Sequence, residues 1–187
     1  MTQPSAQDVI DSQRQDWNRV AGGWEKWDRF FDEQMAFLNH RLVADARLRS
    51  GMQVLDLGSG TGYPALLGAQ TIGPSGNLIG LDLAEQMLTV ARPKATALGL
   101  AHVTFRTGDV TVLPFETNSF DAVTSRFCLM FLPEIPKAAA EAWKLSRNRR
   151  LVCAGEKSLD WPFDGSGKEG GRTPLAGPHC ARHLSPC

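Results

Sequence analysis

The residues best suited to chemistry lie in a glycine-rich stretch, residues 54–62, which reads VLDLGSGTG. An apolar run that leads into glycines at alternate positions, followed by a helical pattern, is typical of a tight turn between a strand and a helix. Glycine allows the backbone of such a turn to approach a ligand closely and to point its N–H groups at it. The stretch therefore predicts a binding site for a nucleotide-like cofactor.

A second acidic residue, Asp82, ends the next apolar run (LIGLD), about twenty residues beyond Gly60. A carboxylate at this separation can accept hydrogen bonds from both hydroxyls of a ribose. Asp56 precedes the glycines, where its charge would repel a pyrophosphate but would suit a cofactor with an amino group and no phosphate. Tyr63 occupies the third small-residue position of the dinucleotide fingerprint. These features favour S-adenosylmethionine over NAD, and they leave an NAD-dependent oxidoreductase as the weaker alternative.

The elements that position these residues follow from the apolar pattern. Residues 6–48 carry aromatic and aliphatic side chains at helical spacing, which predicts two or three helices in an N-terminal cap, residues 1–50. Residues 51–154 alternate short β-rich runs with helical runs, as in a parallel sheet covered on both faces. We predict an α/β fold, a Rossmann-like doubly wound parallel sheet of about five strands. Pro93 is expected to kink or end the helix that follows Asp82.

Composition excludes several classes of protein. Apolar residues make up 42% and charged residues 21% of the 187 residues, which disfavours a wholly disordered chain. The formal net charge is zero, so non-specific binding to nucleic acid is disfavoured. The start of the chain lacks a signal-peptide pattern, no apolar run is long enough to span a membrane, and the cysteines form no Cys-x-x-Cys pair. We expect a soluble, cytoplasmic protein with no metal site, since the histidines and cysteines of residues 179–187 are too tightly spaced for a zinc ribbon.

Four segments, VLDLGSGTG, GLDLAEQML, FRTGDVTVLPF and SFDAVTSRFCLMFL, follow one another in an informative order. In order and spacing they resemble the glycine loop, ribose acid, adenine segment and fourth-strand segment of class I SAM-dependent methyltransferases. The likeness is greatest to the small-molecule branch that includes the ubiquinone/menaquinone-biosynthesis C-methyltransferases, and it covers about residues 15–143. It implies a SAM-dependent methyltransferase that acts on a small organic acceptor. The Asn/Asp-Pro-Pro-aromatic motif of enzymes that methylate base amino groups is missing, so nucleic-acid acceptors are disfavoured.

The resemblance also implies a role for each matching residue, and it leaves the catalytic base unassigned. It places the methionine moiety of the cofactor among Asp56, Gly58, Gly60 and Thr61, with Ser59 and Gly62 as further cofactor-binding residues of the same loop. It places the ribose on Asp82, and the adenine against Leu83, Met87, Gly108, Asp109 and Val110. Ser125 and Arg126 would face the cofactor and the acceptor, and Trp17 and Trp24, where tyrosine is usual, would cover the cofactor and attract its sulfonium.

Structural alternatives stay open for several of these residues. Asp82 and Asp109 are also suited to helix caps or Asx turns, Met87 to the core, and Arg126 to a salt bridge with a neighbouring acid.

The end of the chain departs from the family pattern. The turn before the fifth strand lacks Pro-Gly-Gly, and residues 155–187 contain six Gly and four Pro but no Val or Ile. We therefore expect an irregular tail, no sixth or seventh strand, and an exposed edge at residues 151–154 that favours self-association. A frameshift, alternative splicing or truncation would each account for this pattern. A truncated SAM-binding module with little or no catalytic activity is the alternative to an active enzyme.

Overall fold

The structure is a computed structural model that describes residues 4–147 and 151–154. Two helices come first, followed by alternating strands and helices. In chain order the elements are α1 (Ala6–Lys26), α2 (Asp28–Asp45), β1 (Gln53–Leu57), α3 (Ala65–Ile72), β2 (Asn77–Asp82), α4 (Glu85–Ala97), β3 (Val103–Thr107), β4 (Ala122–Arg126), a short 3₁₀ helix (Leu129–Phe131), α5 (Ile135–Leu145) and β5 (Leu151–Ala154).

The five strands form one parallel sheet in the order β3-β2-β1-β4-β5. The chain winds outward from β1 in one direction and then from β4 in the other, so the order reverses between β1 and β4. Ligands bind at such a switch point, beyond the carboxyl ends of the strands. The predicted doubly wound α/β fold is confirmed.

Both faces of the sheet are buried. Val54 and Leu78 pack with α3 and α4 on one face, whereas Leu55 and Val123 belong to a second cluster, with α5, on the other face. Neighbouring side chains of a strand point to opposite faces, and a nearly continuous apolar run is what a sheet covered on both sides requires.

Helix α4 shows where tertiary packing overrides a local signal. The helix continues through Pro93 to Ala97, so the expectation that it could end at the proline is wrong. An internal proline removes one backbone hydrogen bond and costs about 3 kcal/mol. Leu88, Ala91 and Ala95 are buried against the sheet, and this packing on either side of Pro93 offsets the cost.

The two N-terminal helices pack onto the α/β part of the chain. Helix α1 begins with a capping box between Ser5 and Asp8. Its Ala21 lies in a cluster with Met87 of α4, and Leu42 of α2 packs against Val152 of β5. The division into a cap (residues 1–50), a core (51–154) and a tail (155–187) remains a prediction.

Part of the expected organisation lies outside the described residues. The irregular tail, the missing strands six and seven and the His/Cys cluster all fall there. Within residues 4–147 and 151–154, no helix is both long enough and apolar enough to cross a membrane.

Candidate functional site

The glycine loop, residues 58–62, adopts a backbone that only glycine accepts easily. Gly58, Gly60 and Gly62 have φ values of 69°, 52° and 110°. A Cβ atom on Gly58 would lie 2.4 Å from the Cβ of Cys128, so β1 and the segment after β4 approach each other only because no side chain intervenes. The same atom on Gly60 would have Met87 Cε as its nearest neighbour, at 3.7 Å, which leaves open space beside the loop.

The N–H groups of the loop are largely committed to the protein itself. Gly58 N and Ser59 N both donate to Leu81 O, at 2.8 and 3.1 Å, and Gly62 N donates to Ser59 O at 2.9 Å. Gly60 N donates to Asp82 Oδ2 at 2.8 Å. The loop is therefore held rigidly by β2, and four of its N–H groups are not directed at a ligand.

Asp82 joins the end of β2 to the glycine loop. Its Oδ1 accepts the N–H of Ala84 at 2.8 Å, while Oδ2 accepts that of Gly60. Burial raises the pKa of this carboxyl, and the backbone N–H donors partly counter the rise. A carboxylate has about four acceptor positions, so Asp82 keeps acceptor capacity for hydroxyl groups of a ligand.

Asp56 lies beneath the loop and is completely buried. Ser59 Oγ donates to its Oδ2 at 2.8 Å, and Thr124 Oγ1 donates to its Oδ1 at 2.6 Å. Asp56 and Thr124 are register partners on β1 and β4, which explains why their side chains meet. Burial raises the pKa of Asp56 to about 6, while hydrogen bonds from Thr124 and Ser59 and the charge of Arg126 oppose the rise.

A cavity opens beyond the carboxyl ends of the strands, at the switch point between β1 and β4. Most of the residues predicted from the sequence contribute to its lining: Trp17, Trp24, Gly58, Ser59, Gly60, Thr61, Asp82, Leu83, Met87, Asp109, Val110 and Arg126. The structure thus brings together residues from α1, four strand ends and α4.

Four of the predicted residues do not line the cavity. Asp56 is held under the loop, and Ser125 is completely buried in β4. Gly62 and Gly108 serve close packing, because a Cβ there would lie 2.9 Å from Leu66 and 2.6 Å from Leu81. Their assignment as cofactor-contacting residues remains a prediction, and the geometry shows them supporting the residues that do line the cavity.

Asp109 forms an Asx turn and also lines the cavity, so the two interpretations that the sequence left open for it are compatible. Its Oδ1 accepts both the backbone N–H and the hydroxyl of Thr111, each at 2.7 Å, which is an Asx turn. The residue also lines the cavity, beside Val110.

Sequence reasoning missed seven residues of the lining. They are Ile10, Gln13, Tyr63, Phe127, Cys128, Phe131 and Leu132. Ile10, Gln13 and Trp17 stand at i, i+3 and i+7 on α1, a helical spacing that marks one face of the helix. That spacing is the signal that could have extended the predicted site beyond the tryptophans.

Aromatic rings form one side of the cavity. The rings of Trp17 and Phe131 meet edge to face at 5.3 Å, and Trp17 and Trp24 lie 6.3 Å apart. Phe31 stacks on Trp24 at 4.4 Å, and Gln13 Oε1 accepts the indole N–H of Trp17 at 3.0 Å. Helix α1 thus places an anchored aromatic surface opposite the glycine loop.

Comparison with known proteins shows the family. A methyltransferase-domain model matches residues 54–149, about half of the chain. The chain therefore belongs to the methyltransferase-domain family, and the resemblance to class I SAM-dependent methyltransferases is confirmed.

Two curated relatives and one solved structure illustrate the match. Demethylmenaquinone methyltransferase of Symbiobacterium thermophilum is 35% identical over 135 residues, which cover 71% of this chain and 49% of that protein. Nocamycin O-methyltransferase of Saccharothrix syringae is 35% identical over 131 residues, with coverage of 70% and 46%. A SAM-dependent methyltransferase from Aquifex aeolicus shares the fold, with a TM-score of 0.55, 24% identity and 62% coverage of each chain.

The chain spans about half the length of the curated relatives that it matches. These findings identify S-adenosylmethionine as the cofactor of the family. None of the three proteins is an oxidoreductase, and the NAD-dependent alternative gains no support from them.

Proposed function

We propose that this chain is a SAM-dependent methyltransferase that transfers a methyl group to a small organic acceptor. The observation that carries the proposal is the cavity at the switch point, where Asp82 is tied to the glycine loop by the bond from Gly60 N at 2.8 Å. Bound S-adenosylmethionine supplies an electrophilic methyl group.

The residues of the cavity fit this cofactor part by part. Asp82 keeps acceptor capacity that the ribose hydroxyls can use. Leu83, Met87 and Val110 offer an apolar surface for the adenine, and Asp109 has one carboxylate oxygen, Oδ2, without a bond to the described residues. The glycine loop and Thr61 would hold the methionine moiety, and the indoles of Trp17 and Trp24 would face the sulfonium.

The bonding of the glycine loop argues against a dinucleotide. A pyrophosphate needs several N–H groups directed at it from a helix start. Here four N–H groups of the loop donate to Leu81 O, Asp82 and Ser59 O instead.

In this proposal the chain acts mainly by alignment. The aromatic surface and the glycine loop would hold the methyl donor and the acceptor in line and would exclude water. Alignment alone lowers the activation free energy by up to roughly 7 to 11 kcal/mol in favourable cases. Methyl transfer from a sulfonium disperses charge, so a positioned base is not required, and no residue is assigned as one.

The finer points of the sequence predictions belong to the same proposal. We infer that the acceptor is not a nucleic acid, because a formal net charge of zero gives the molecule as a whole no attraction to phosphates. A cytoplasmic location agrees with cysteines that form no Cys-x-x-Cys pair.

Strand β5 is an outer strand of the described sheet, which supports the proposed self-association through this edge.

Two measurements test the function. Isothermal titration should show binding of S-adenosylhomocysteine and none of NADH, whereas the reverse preference would contradict the cofactor assignment. Transfer of a labelled methyl group from S-adenosylmethionine to a small-molecule metabolite extract then separates an enzyme from a truncated binding module. Cofactor binding without any labelled product would favour the module.

A further inference from the structure

Arg126 is a charged residue at the edge of the cavity. It is the last residue of β4, directly after the fully buried Ser125, and it pairs in register with Ala154 of β5. Its side chain is largely buried and belongs to the lining of the cavity. Burial lowers the pKa of Arg126, yet a guanidinium stays protonated in proteins, so the cavity has a permanent positive charge on this side.

The described residues only partly satisfy this guanidinium. Its Nη1 donates to Asn39 Oδ1 at 3.0 Å. Its Nε is buried and has no hydrogen-bond partner within residues 4–147 and 151–154. The salt bridge that the sequence left open for Arg126 does not form with any carboxylate of that part of the chain.

The two carboxylates whose charges influence Arg126 are engaged elsewhere. Asp56 accepts hydrogen bonds from Ser59 and Thr124. Asp32 acts on Arg126 only through its charge, and it accepts a hydrogen bond from Asn39 Nδ2 at 3.4 Å. Neither of them completes the donor set of the guanidinium.

A desolvated cation is costly unless an anion or several acceptors compensate it. The Nε atom itself is shielded from solvent, but Arg126 lines the cavity, so an anionic ligand bound there can compensate the charge of the guanidinium group. A planar guanidinium matches a carboxylate or another oxyanion, and such charge-assisted hydrogen bonds are about twice as strong as neutral ones.

The cofactor itself carries a carboxylate, so its position matters. Thr61 lies in the glycine loop, lines the cavity, and its hydroxyl makes no hydrogen bond within the described part of the chain. This hydroxyl offers a donor to the cofactor carboxylate on the loop side. Arg126 lies beside aromatic residues, with its Cζ 5.8 Å from the ring centre of Phe127, and Phe131 and Trp17 line the same cavity.

We propose that Arg126 binds the methyl acceptor through an anionic oxygen, so that the acceptor is a small molecule with a flat apolar body and a carboxylate or ionised hydroxyl. That the bound molecule is a methyl acceptor rests on the proposed function. That it is anionic and flat rests on Arg126 and on the aromatic rings beside it. Arg126 is in this sense a specificity-determining residue.

Benzoate and benzamide, which have the same shape but differ in charge, test the inference on the full chain. With S-adenosylhomocysteine present, titration followed by NMR should show benzoate binding at least tenfold tighter than benzamide. Arg126→Gln should remove this preference. Arg41→Gln removes the same charge from the more exposed partner of an ion pair with Asp45 on α2, outside the lining of the cavity, and should leave the preference unchanged.

A second measurement does not depend on the folding of Arg126→Gln. The Nε–H signal of Arg126, assigned by its absence in Arg126→Lys, should shift on addition of benzoate and not of benzamide. Equal affinities for the two probes in the unaltered protein, or an Nε–H signal that benzoate leaves unmoved, would overturn the proposal.

A further comparison decides whether the anion that Arg126 binds belongs to the acceptor or to the cofactor carboxylate. If Arg126→Gln loses tenfold or more in affinity for S-adenosylhomocysteine and keeps its preference for benzoate, the guanidinium serves the cofactor carboxylate and the proposal is wrong. If the unaltered chain does not bind S-adenosylhomocysteine at all, the proposed function fails. The benzoate comparison without cofactor then still decides whether Arg126 forms an anion site.

Discussion

The two sides of the cavity are built in different ways. The loop side consists of residues 58–62 and Asp82, which come from two adjacent strands and lie close together in the sequence. The cap side consists of Trp17, Trp24, Phe131 and Arg126, which α1 and the end of β4 bring together from distant parts of the chain.

The difference extends to hydrogen bonding. On the loop side, backbone N–H groups and the Asp82 carboxylate satisfy one another at 2.8 to 3.1 Å. On the cap side, the buried Nε of Arg126 finds no partner in the described part of the chain, and most of the surface is aromatic. The polar groups of the loop side are thus largely satisfied within the protein, whereas the guanidinium group on the cap side is only partly satisfied by the described residues.

The largest effect is expected from filling the loop side. Gly60→Val should lower the affinity for S-adenosylhomocysteine by at least about 100-fold, because the new side chain would enter the space beside the loop. Gly99→Val is the matched control, since Gly99 has a similar φ of 67° and open space around it. Titration calorimetry on both variants checks this, and normal binding by Gly60→Val would reduce the loop to an ordinary turn.

The next effect concerns the carboxyl beneath the loop. The pKa of Asp56 is raised to about 6 in the folded protein, so the folded state holds this proton at pH values where the unfolded state has released it. The free energy of unfolding of the unaltered protein, minus that of Asp56→Asn, should therefore fall as pH rises from about 4 to about 6. The fall should be on the order of 3 kcal/mol, and the difference should then level off.

Urea unfolding of both proteins between pH 4 and 8 measures this difference. The subtraction removes the titration of the other carboxyls, which both proteins share. A stability difference that rises with pH in this window, or does not change, would contradict the desolvation of Asp56.

Asp82→Ala should weaken binding of S-adenosylhomocysteine by about 1.5 to 3 kcal/mol, or roughly 10- to 150-fold, since the ribose loses a charged acceptor. Asp82→Asn should cost less. Asp121→Ala is the control, because Asp121 also accepts a backbone N–H, from Gln53 at 2.8 Å, but lies at the start of β4, away from the cavity. Unchanged affinity in a folded Asp82→Ala protein would refute the ribose assignment.

The smallest effect is expected on the cap side. Trp17→Leu should weaken binding of S-adenosylmethionine by about 0.5 to 2 kcal/mol through lost cation–π attraction, and should affect S-adenosylhomocysteine less because it lacks the sulfonium charge. Trp27→Leu, which alters an exposed tryptophan outside the cavity, should change neither affinity. Equal losses for the two ligands would assign Trp17 a packing role only.

Much of the loop side could be predicted because it depends on local chemistry. Strands β1 and β2 are marked by apolar runs, and the positive φ values of Gly58 and Gly60 match what alternating glycines predict. The spacing from Gly60 to Asp82 is likewise a property of one strand-helix-strand unit. The fold class followed from the same alternation of short apolar and helical runs, and the structure confirms it.

What the sequence determined by itself is thus the order of strands and helices, the glycine turn and the acid at the end of β2, because each depends on residues near one another in the chain. Only the tertiary structure decided that Asp56 lies under the loop, that Pro93 stays within α4, and that Asn39 meets Arg126. Those outcomes depend on packing between segments up to 87 residues apart, as for Asn39 and Arg126. A local sequence pattern does not predict contacts between such distant segments, because burial and the choice of hydrogen-bond partner are decided only when the whole chain has folded.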